Sequence, residues 1–209
     1  MDLWALEEQL CRERGIPVIA GADEAGAGPL AGRVYAAAVI LPRGLELPYL
    51  NDSKQVTEKR REVLFDQIRD AAPAWAVAWA EPEEIDELDI LNCRMLAMQR
   101  AIDGLSTVPE LVLIDGNRDH GSRYAIETPH QLIVGGDGKS ASIAAASILA
   151  KVSRDRYVSG ELDAKYPQYQ FAKHKGYGTK LHYELLDQYG PCPEHRRSFL
   201  KKWEAKRHG

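Results

Sequence analysis

The stretch GADEAGAGPLAG, residues 21–32, constrains this chain more than any other. Asp23 and Glu24 stand side by side, and their neighbours Gly21, Ala22, Ala25, Gly26, Ala27 and Gly28 have almost no side chain. A surface loop has no need of so much Gly and Ala around its acids, and a buried strand does not ordinarily tolerate acids. Successive strand side chains point to opposite faces, so the two acids share one site only if the strand ends or bulges there. Gly26 and Gly28 provide that freedom.

The rest of the pattern alternates strands and helices. PVIAGADEAG reads as a strand ending in a turn, and RVYAAAVILP as a second strand closed by Pro42 and Gly44. The short span between them predicts a hairpin. Thr57 is expected to cap a helix through EKRREVLFDQIRDA, with Glu58 in its first turn. AWAVAWAEP alternates as a strand does. Leu88, Leu91, Met95, Met98, Ile102 and Leu105 are spaced by three and four, which predicts the apolar face of one helix stopping near Gly104. ELVLIDG and HQLIVGG read as short apolar strands ending in glycine turns, and SASIAAASILAKVSRDRYV as a helix of small residues. This order predicts an α/β layered domain with a mixed sheet. A unit over 1–160 is expected, with a polar, aromatic and basic helical extension over 161–209 packed on it.

Bulk properties narrow the class. No run of roughly 18 apolar residues is present, so no membrane-spanning helix is expected. The opening MDLWALEEQLCRERG is acidic and amphipathic and lacks the core of a signal peptide. Cys11, Cys93 and Cys192 are far apart and lack metal-ligand spacing, which reads as free thiols in a reducing cytoplasm. The net charge of −4 argues against a polyanionic partner, but the charge is unevenly spread. Residues 139–209 hold 14 Lys/Arg against 7 Asp/Glu, leaving 13 against 24 in the remainder. A basic C-terminal third on an acidic body suggests a local anionic partner, and a solvated mixed-charge surface is the plainer alternative.

Asp115 follows LVLI and precedes Gly116, and Asp137 follows LIVGG and precedes Gly138. Functional groups in α/β sheets collect at strand ends, so three strand ends offer four carboxylates. Any one Asp-Gly pair is also an ordinary turn former; the adjacent Asp23-Glu24 pair is harder to read that way. Four converging carboxylates repel one another, and divalent cations resolve the conflict. Oxygen ligands without nearby His or Cys favour Mg²⁺ or Mn²⁺.

In order, GADEAGAGPLAGRVYAAAVILP, NDSKQ, LVLIDGN, GGDGKSASIAAASILAKVSRDR, HKGYGTKLH and YGPCPEHRRSF resemble the successive motifs of the ribonuclease HII family, over roughly residues 16–200. The resemblance implies a ribonuclease H-like mixed sheet flanked by helices, with a C-terminal helical extension. It implies an endonuclease that cleaves the RNA strand of RNA–DNA hybrids and nicks on the 5′ side of ribonucleotides embedded in duplex DNA. The ends left would be 5′-phosphate and 3′-hydroxyl, with two Mn²⁺ or Mg²⁺ ions in the reacting complex. Asp23, Glu24, Asp115 and Asp137 match the family's four acids, Asp23 bridging the ions, Glu24 and Asp115 on one and Asp137 on the other. Asp119 is a rival to Asp137.

The same resemblance assigns the turn Gly26-Ala27-Gly28 to the ribose 2′-hydroxyl. Ala27 stands where the family has Arg, which keeps the backbone and removes a cation. Tyr177 matches a tyrosine that stacks on the sugar beside the junction; a packed tyrosine between glycines is its plainer reading. Ser53 and Lys54 are candidate phosphate contacts or part of a simple turn or cap, and Lys139, Ser140, Lys173, Lys175, Lys180, Arg196 and Arg197 are candidate contacts along the duplex backbone or simple solvated charges. His174, His182 and His195 show no ligand pattern and receive no role. The first motif lies near the start, so the extra N-terminal domain of ribonuclease HIII is not expected, nor is a clamp-binding peptide in KKWEAKRHG. A monomer without a protein partner is expected. A non-catalytic duplex-binding module on the same fold is the alternative; four acids facing phosphates disfavour it.

Overall fold

The apolar runs pair into a sheet and the amphipathic ones cover it. The computed structural model describes residues 2–50 and 56–208, the last two by backbone alone. Among these, β1 (Ile19–Ala25), β2 (Val34–Ile40), β3 (Ala74–Ala80), β4 (Leu111–Asp115) and β5 (His130–Ile133) form one 5-stranded sheet in the order β3-β2-β1-β4-β5. The expected hairpin is there: β1 pairs antiparallel with β2, which pairs antiparallel with β3. β4 joins β1 in parallel and β5 joins β4 in parallel, so the sheet is mixed.

The helices are α1 (Ala5–Arg14), α2 (Glu58–Ala71), α3 (Pro82–Leu88), α4 (Ile90–Asp103), α5 (Ala141–Tyr157), α6 (Asp163–Lys165), α7 (Phe171–His174), α8 (Lys180–Tyr189) and α9 (Arg197–His208). On one face of the sheet, Met95, Met98 and Ile102 of α4 pack on Ala20, Ala22, Ala36, Val112 and Ile114. On the other, α2 and α5 meet Ala37 and Val39 through Leu64, Phe65, Ile68, Ala145 and Leu149.

The small residues around the acids now have a cause. A Cβ on Gly21 would lie 2.1 Å from the backbone carbon of Ser142 and 2.2 Å from the amide nitrogen of Ile143. The backbone of α5 therefore runs directly against β1, and Ala144, Ala145 and Ala146 keep that approach possible, all fully buried. Glu7 of α1 closes the start of α5. Ser140 and Ser142 hydroxyls donate to its carboxylate at 2.6 and 2.9 Å, and the Ser142 amide at 2.9 Å.

Two local expectations change. The segment read as one helix is two, α3 and α4, broken at Asp89 with φ 76°. Asp is among the few non-glycine residues that adopt positive φ, and its carboxylate accepts the Asn92 amide at 2.9 Å to start α4. Leu88 consequently packs with Ile85 and Cys93 in a separate cluster, while Leu105 lies past the end of α4. Thr57 does precede α2, but its side chain makes no cap; its carbonyl accepts the Arg61 amide at 2.9 Å.

After Tyr157 the helix widens into a π-helical turn over Val158–Leu162 before α6, so residue 160 lies inside a continuous helical path. The remaining tail folds back. Phe171, Leu186 and Leu200 join Leu30, Ala31, Tyr35 and Tyr157 in one buried cluster. Cys11, Cys93 and Cys192 are free thiols. Among the described residues no helix is long and apolar enough to cross a membrane.

Candidate active site

Register places the acids. Ala22 of β1 is the partner of Ile114 of β4, so the next positions, Asp23 and Asp115, stand beside each other where the parallel pairing ends. Strand alternation sends both towards α5, as it does Gly21 and Leu113. Asp137 arrives from the other side on the single 3₁₀ turn Gly136–Gly138 that leads into α5. The Gly136 amide donates to Asp115 Oδ1 at 2.6 Å, which ties that turn to the end of β4. One carboxylate oxygen from each of Asp23, Asp115 and Asp137 lies within 4.8 Å of the others.

Glu24 takes the opposite face, as strand geometry requires. β1 runs regularly through Asp23 and Glu24, paired with Ala37 and Ala36 of β2. Arg94 Nη2 of α4 forms an ion pair with Glu24 Oε1 at 2.5 Å, and Glu24 Oε2 is enclosed without a hydrogen-bond partner. Asp119, the rival acid, is outside the cluster and pairs instead with His120 at 2.6 Å and His130 at 3.2 Å.

The site is electrostatically expensive as it stands. Burial holds Asp23 well above the ordinary carboxylate range, and the charges of Glu24 and Asp115 raise it further. The Ser147 hydroxyl and the Glu24 amide bond the carboxylate and oppose this. Burial also raises Glu24, against the pull of Arg94. An all-oxygen cluster of largely buried acids suits hard divalent cations, which compensate the charge. Asp23, Asp115 and Asp137 fit such an ion directly, with Glu24 adjacent.

A cleft of about 310 Å³ runs from Asp23 and Ser147 past Lys151 to Gly26, Ala27 and Tyr177. Gly26 has φ 91°, and a Cβ there would meet the Arg154 side chain at 2.3 Å. Tyr177 is 43% exposed, with its ring 3.9 Å from the space a Gly28 Cβ would fill and 5.4 Å from the Arg154 guanidinium. Lys151 is held by Asp155 at 2.5 and 2.7 Å.

Other sequence candidates sit differently. Ser140 is fully buried; its hydroxyl donates to Glu7 and accepts the Ile143 amide, so it caps α5 and presents nothing to the cleft. Lys139 is exposed and donates to the Val134 carbonyl at 2.6 Å. Ser53 and Lys54 lie outside the described residues. Arg196 is a correction, being neither a duplex contact nor a solvated charge. It is fully buried and donates to the carbonyls of Gly26 at 2.7 Å, Ala27 at 3.0 Å, Pro29 at 2.8 Å and Gly32 at 2.9 Å. Burial, with the neighbouring positive charge of Arg154, pushes it down to about 9. Ser147, Arg94 and Arg154 were not singled out from sequence. Ser147 sits two turns into the small-residue helix, a position that such a helix packed on Asp23 makes legible in retrospect.

A mixed sheet in this order, with carboxylates gathered where β1 and β4 stop pairing, defines a ribonuclease H-like nuclease fold. The comparisons with known proteins agree and are more specific. The family model for Ribonuclease HII matches residues 20–204. This chain belongs to the ribonuclease HII family, metal-dependent hydrolases of the ribonuclease H class. It is 56% identical over 187 residues to Ribonuclease HII of Endomicrobium trichonymphae, covering 89% of this chain and 87% of that one. Ribonuclease HII of Neisseria meningitidis is 54% identical over 182 residues, with 86% and 91% covered. The crystal structure of ribonuclease H2 from Pyrococcus horikoshii superposes with a TM-score of 0.70 at 28% identity, covering 87% of this chain and 93% of that one.

Proposed function

We propose that this protein cleaves the RNA strand of RNA–DNA hybrids and nicks duplex DNA on the 5′ side of embedded ribonucleotides. The observation that carries the reading is the convergence of Asp23, Asp115 and Asp137 within 4.8 Å beside a cleft that continues to the Gly26 turn and Tyr177. Asp23, Glu24, Asp115 and Asp137 are the proposed holders of two Mn²⁺ or Mg²⁺ ions. When bound, such ions activate water for attack on a phosphodiester and stabilise the departing 3′-oxygen, leaving a 5′-phosphate.

The chain's own contribution is position. Ser147 and the Gly136 amide fix the Asp23 and Asp115 carboxylates before substrate arrives. Arg196 holds the Gly26–Gly32 segment in one shape, which a backbone must have to read a 2′-hydroxyl. Tyr177 offers a half-exposed ring for the neighbouring sugar. We assign residues 161–209 as the extension that brings Tyr177 to the cleft and Arg196 beneath the turn. A pure duplex binder gains nothing from a buried acid that destabilises the unliganded fold.

The test compares the wild-type protein with Asp23→Asn on a labelled RNA–DNA hybrid in Mn²⁺. Cleavage is expected only with the wild type, while both give the same circular dichroism. Asp23→Asn turning over at the wild-type rate overturns the assignment.

A further inference from the structure

Arg94 and Glu24 form an ion pair that is only half made. Arg94 Nη2 reaches Glu24 Oε1 at 2.5 Å, yet Arg94 Nε and Glu24 Oε2 are both enclosed without a hydrogen-bond partner. A fully matched arginine–carboxylate pair makes two parallel bonds and leaves neither partner unsatisfied. The two unpartnered atoms are themselves closed off from solvent, so water does little to make good the missing bonds. Glu24 also lies close enough to Asp115 to feel its charge, although its side chain points to the α4 face of the sheet. Arg94 is thus a fixed positive charge on Glu24, the acid next to the Asp23, Asp115 and Asp137 cluster, holding it by one oxygen and leaving the other free.

We propose that Arg94 is a resident counter-cation of the acid cluster: it holds Glu24 in the metal-free protein, and divalent-ion binding has to displace it. The inference rests on the metal-site reading above. Without ions, Arg94 offsets repulsion among the carboxylates and keeps the fold from carrying Glu24 unpaired. Ions entering the cluster compete with Arg94 for Glu24 and are repelled by its charge. Arg94 therefore lowers the metal affinity of the site while stabilising its empty form.

Calcium binding by isothermal titration, without nucleic acid, tests this on the full chain. Arg94→Met is expected to bind Ca²⁺ about tenfold more tightly than wild type, the order expected from removing one nearby unit charge. It should also melt at a lower temperature in EDTA. Arg94→Lys keeps the charge and should stay near wild type. In a Glu24→Gln background the gain from Arg94→Met should shrink. Unchanged or weaker Ca²⁺ binding by Arg94→Met overturns the proposal, as does a gain that is equal in both backgrounds. Asp23→Asn separates the two levels. If it abolishes Ca²⁺ binding while Arg94→Met changes nothing, the metal site stands and Arg94 is no counter-cation. If Asp23→Asn binds Ca²⁺ as wild type does, the metal-site reading itself fails.

Discussion

Arg196 sits beneath the turn that follows the paired acids and satisfies the carbonyls of Gly26, Ala27, Pro29 and Gly32 with one guanidinium. Removing it strands buried acceptors, each costing roughly 1–3 kcal/mol. Arg196→Met should therefore lose about 3 kcal/mol or more in urea unfolding and discriminate less between a ribonucleotide-containing duplex and plain DNA. A loss below about 1 kcal/mol, within the range of an ordinary surface change, would show that the clamp does not hold the turn. Ala27 lines the cleft and is only partly buried, so Ala27→Arg has room. A charge-assisted bond to a phosphate contributes roughly 1.5–3 kcal/mol, so duplex affinity in Ca²⁺ should rise about tenfold; equal affinities would make Ala27 a neutral substitution. The acids were legible in sequence because carboxylates among glycines and alanines have few other uses. Arg154 and Arg196 were not, because a cation that supports backbone from below reads in sequence like one in solvent. The opposite facing of Asp23 and Glu24 was legible as a geometric conflict, but its outcome, Arg94 on the far face, needed the position of α4.

At the scale of elements, the contact of α5 with β1 sets the site, since it places Ser147 against Asp23 and follows directly from the turn bearing Asp137. Gly21→Ala puts a methyl 2.1 Å from helix backbone that has no side-chain freedom to yield. A destabilisation of about 3 kcal/mol is expected from chemical denaturation, the upper part of the usual overpacking range. A variant within 0.5 kcal/mol of wild type would show that α5 rides further from the sheet. The strands, their hairpin and the mixed sheet were legible from alternation and glycine turns. The break at Asp89 was not. Apolar spacing of three and four carries across it from Leu88 to Leu91, and periodicity alone does not register a single residue at positive φ.

The C-terminal tail is fastened by histidines whose spacing offers no reason to group them. His182 and His195 meet nitrogen to nitrogen at 3.0 Å, and His174 stacks on His182 at 4.2 Å. Burial first, then neighbouring histidine charge, pushes His182 down to about 4 and His195 down to about 3; burial also lowers His174, against its hydrogen bond to the Tyr169 carbonyl and the charge of Asp163. In the unfolded chain these groups protonate near pH 6.5, so below that pH the unfolded state binds more protons. Their contribution is present above about pH 6.5 and is lost as pH falls towards 4 and 3. Urea midpoints should fall from pH 7 to pH 5, and His195→Gln should flatten that slope; parallel slopes would contradict it. The basic C-terminal third is also less available than its charge count implies, because Arg154 and Arg196 are fully buried. The proposed activity is tested most directly by cleavage of a labelled DNA duplex carrying one ribonucleotide, in Mn²⁺, with the product ends mapped. A single nick on the 5′ side of the ribonucleotide is expected, absent from the all-DNA duplex and lost in Asp23→Asn. Cleavage that ignores the ribonucleotide, or that survives Asp23→Asn, would contradict it.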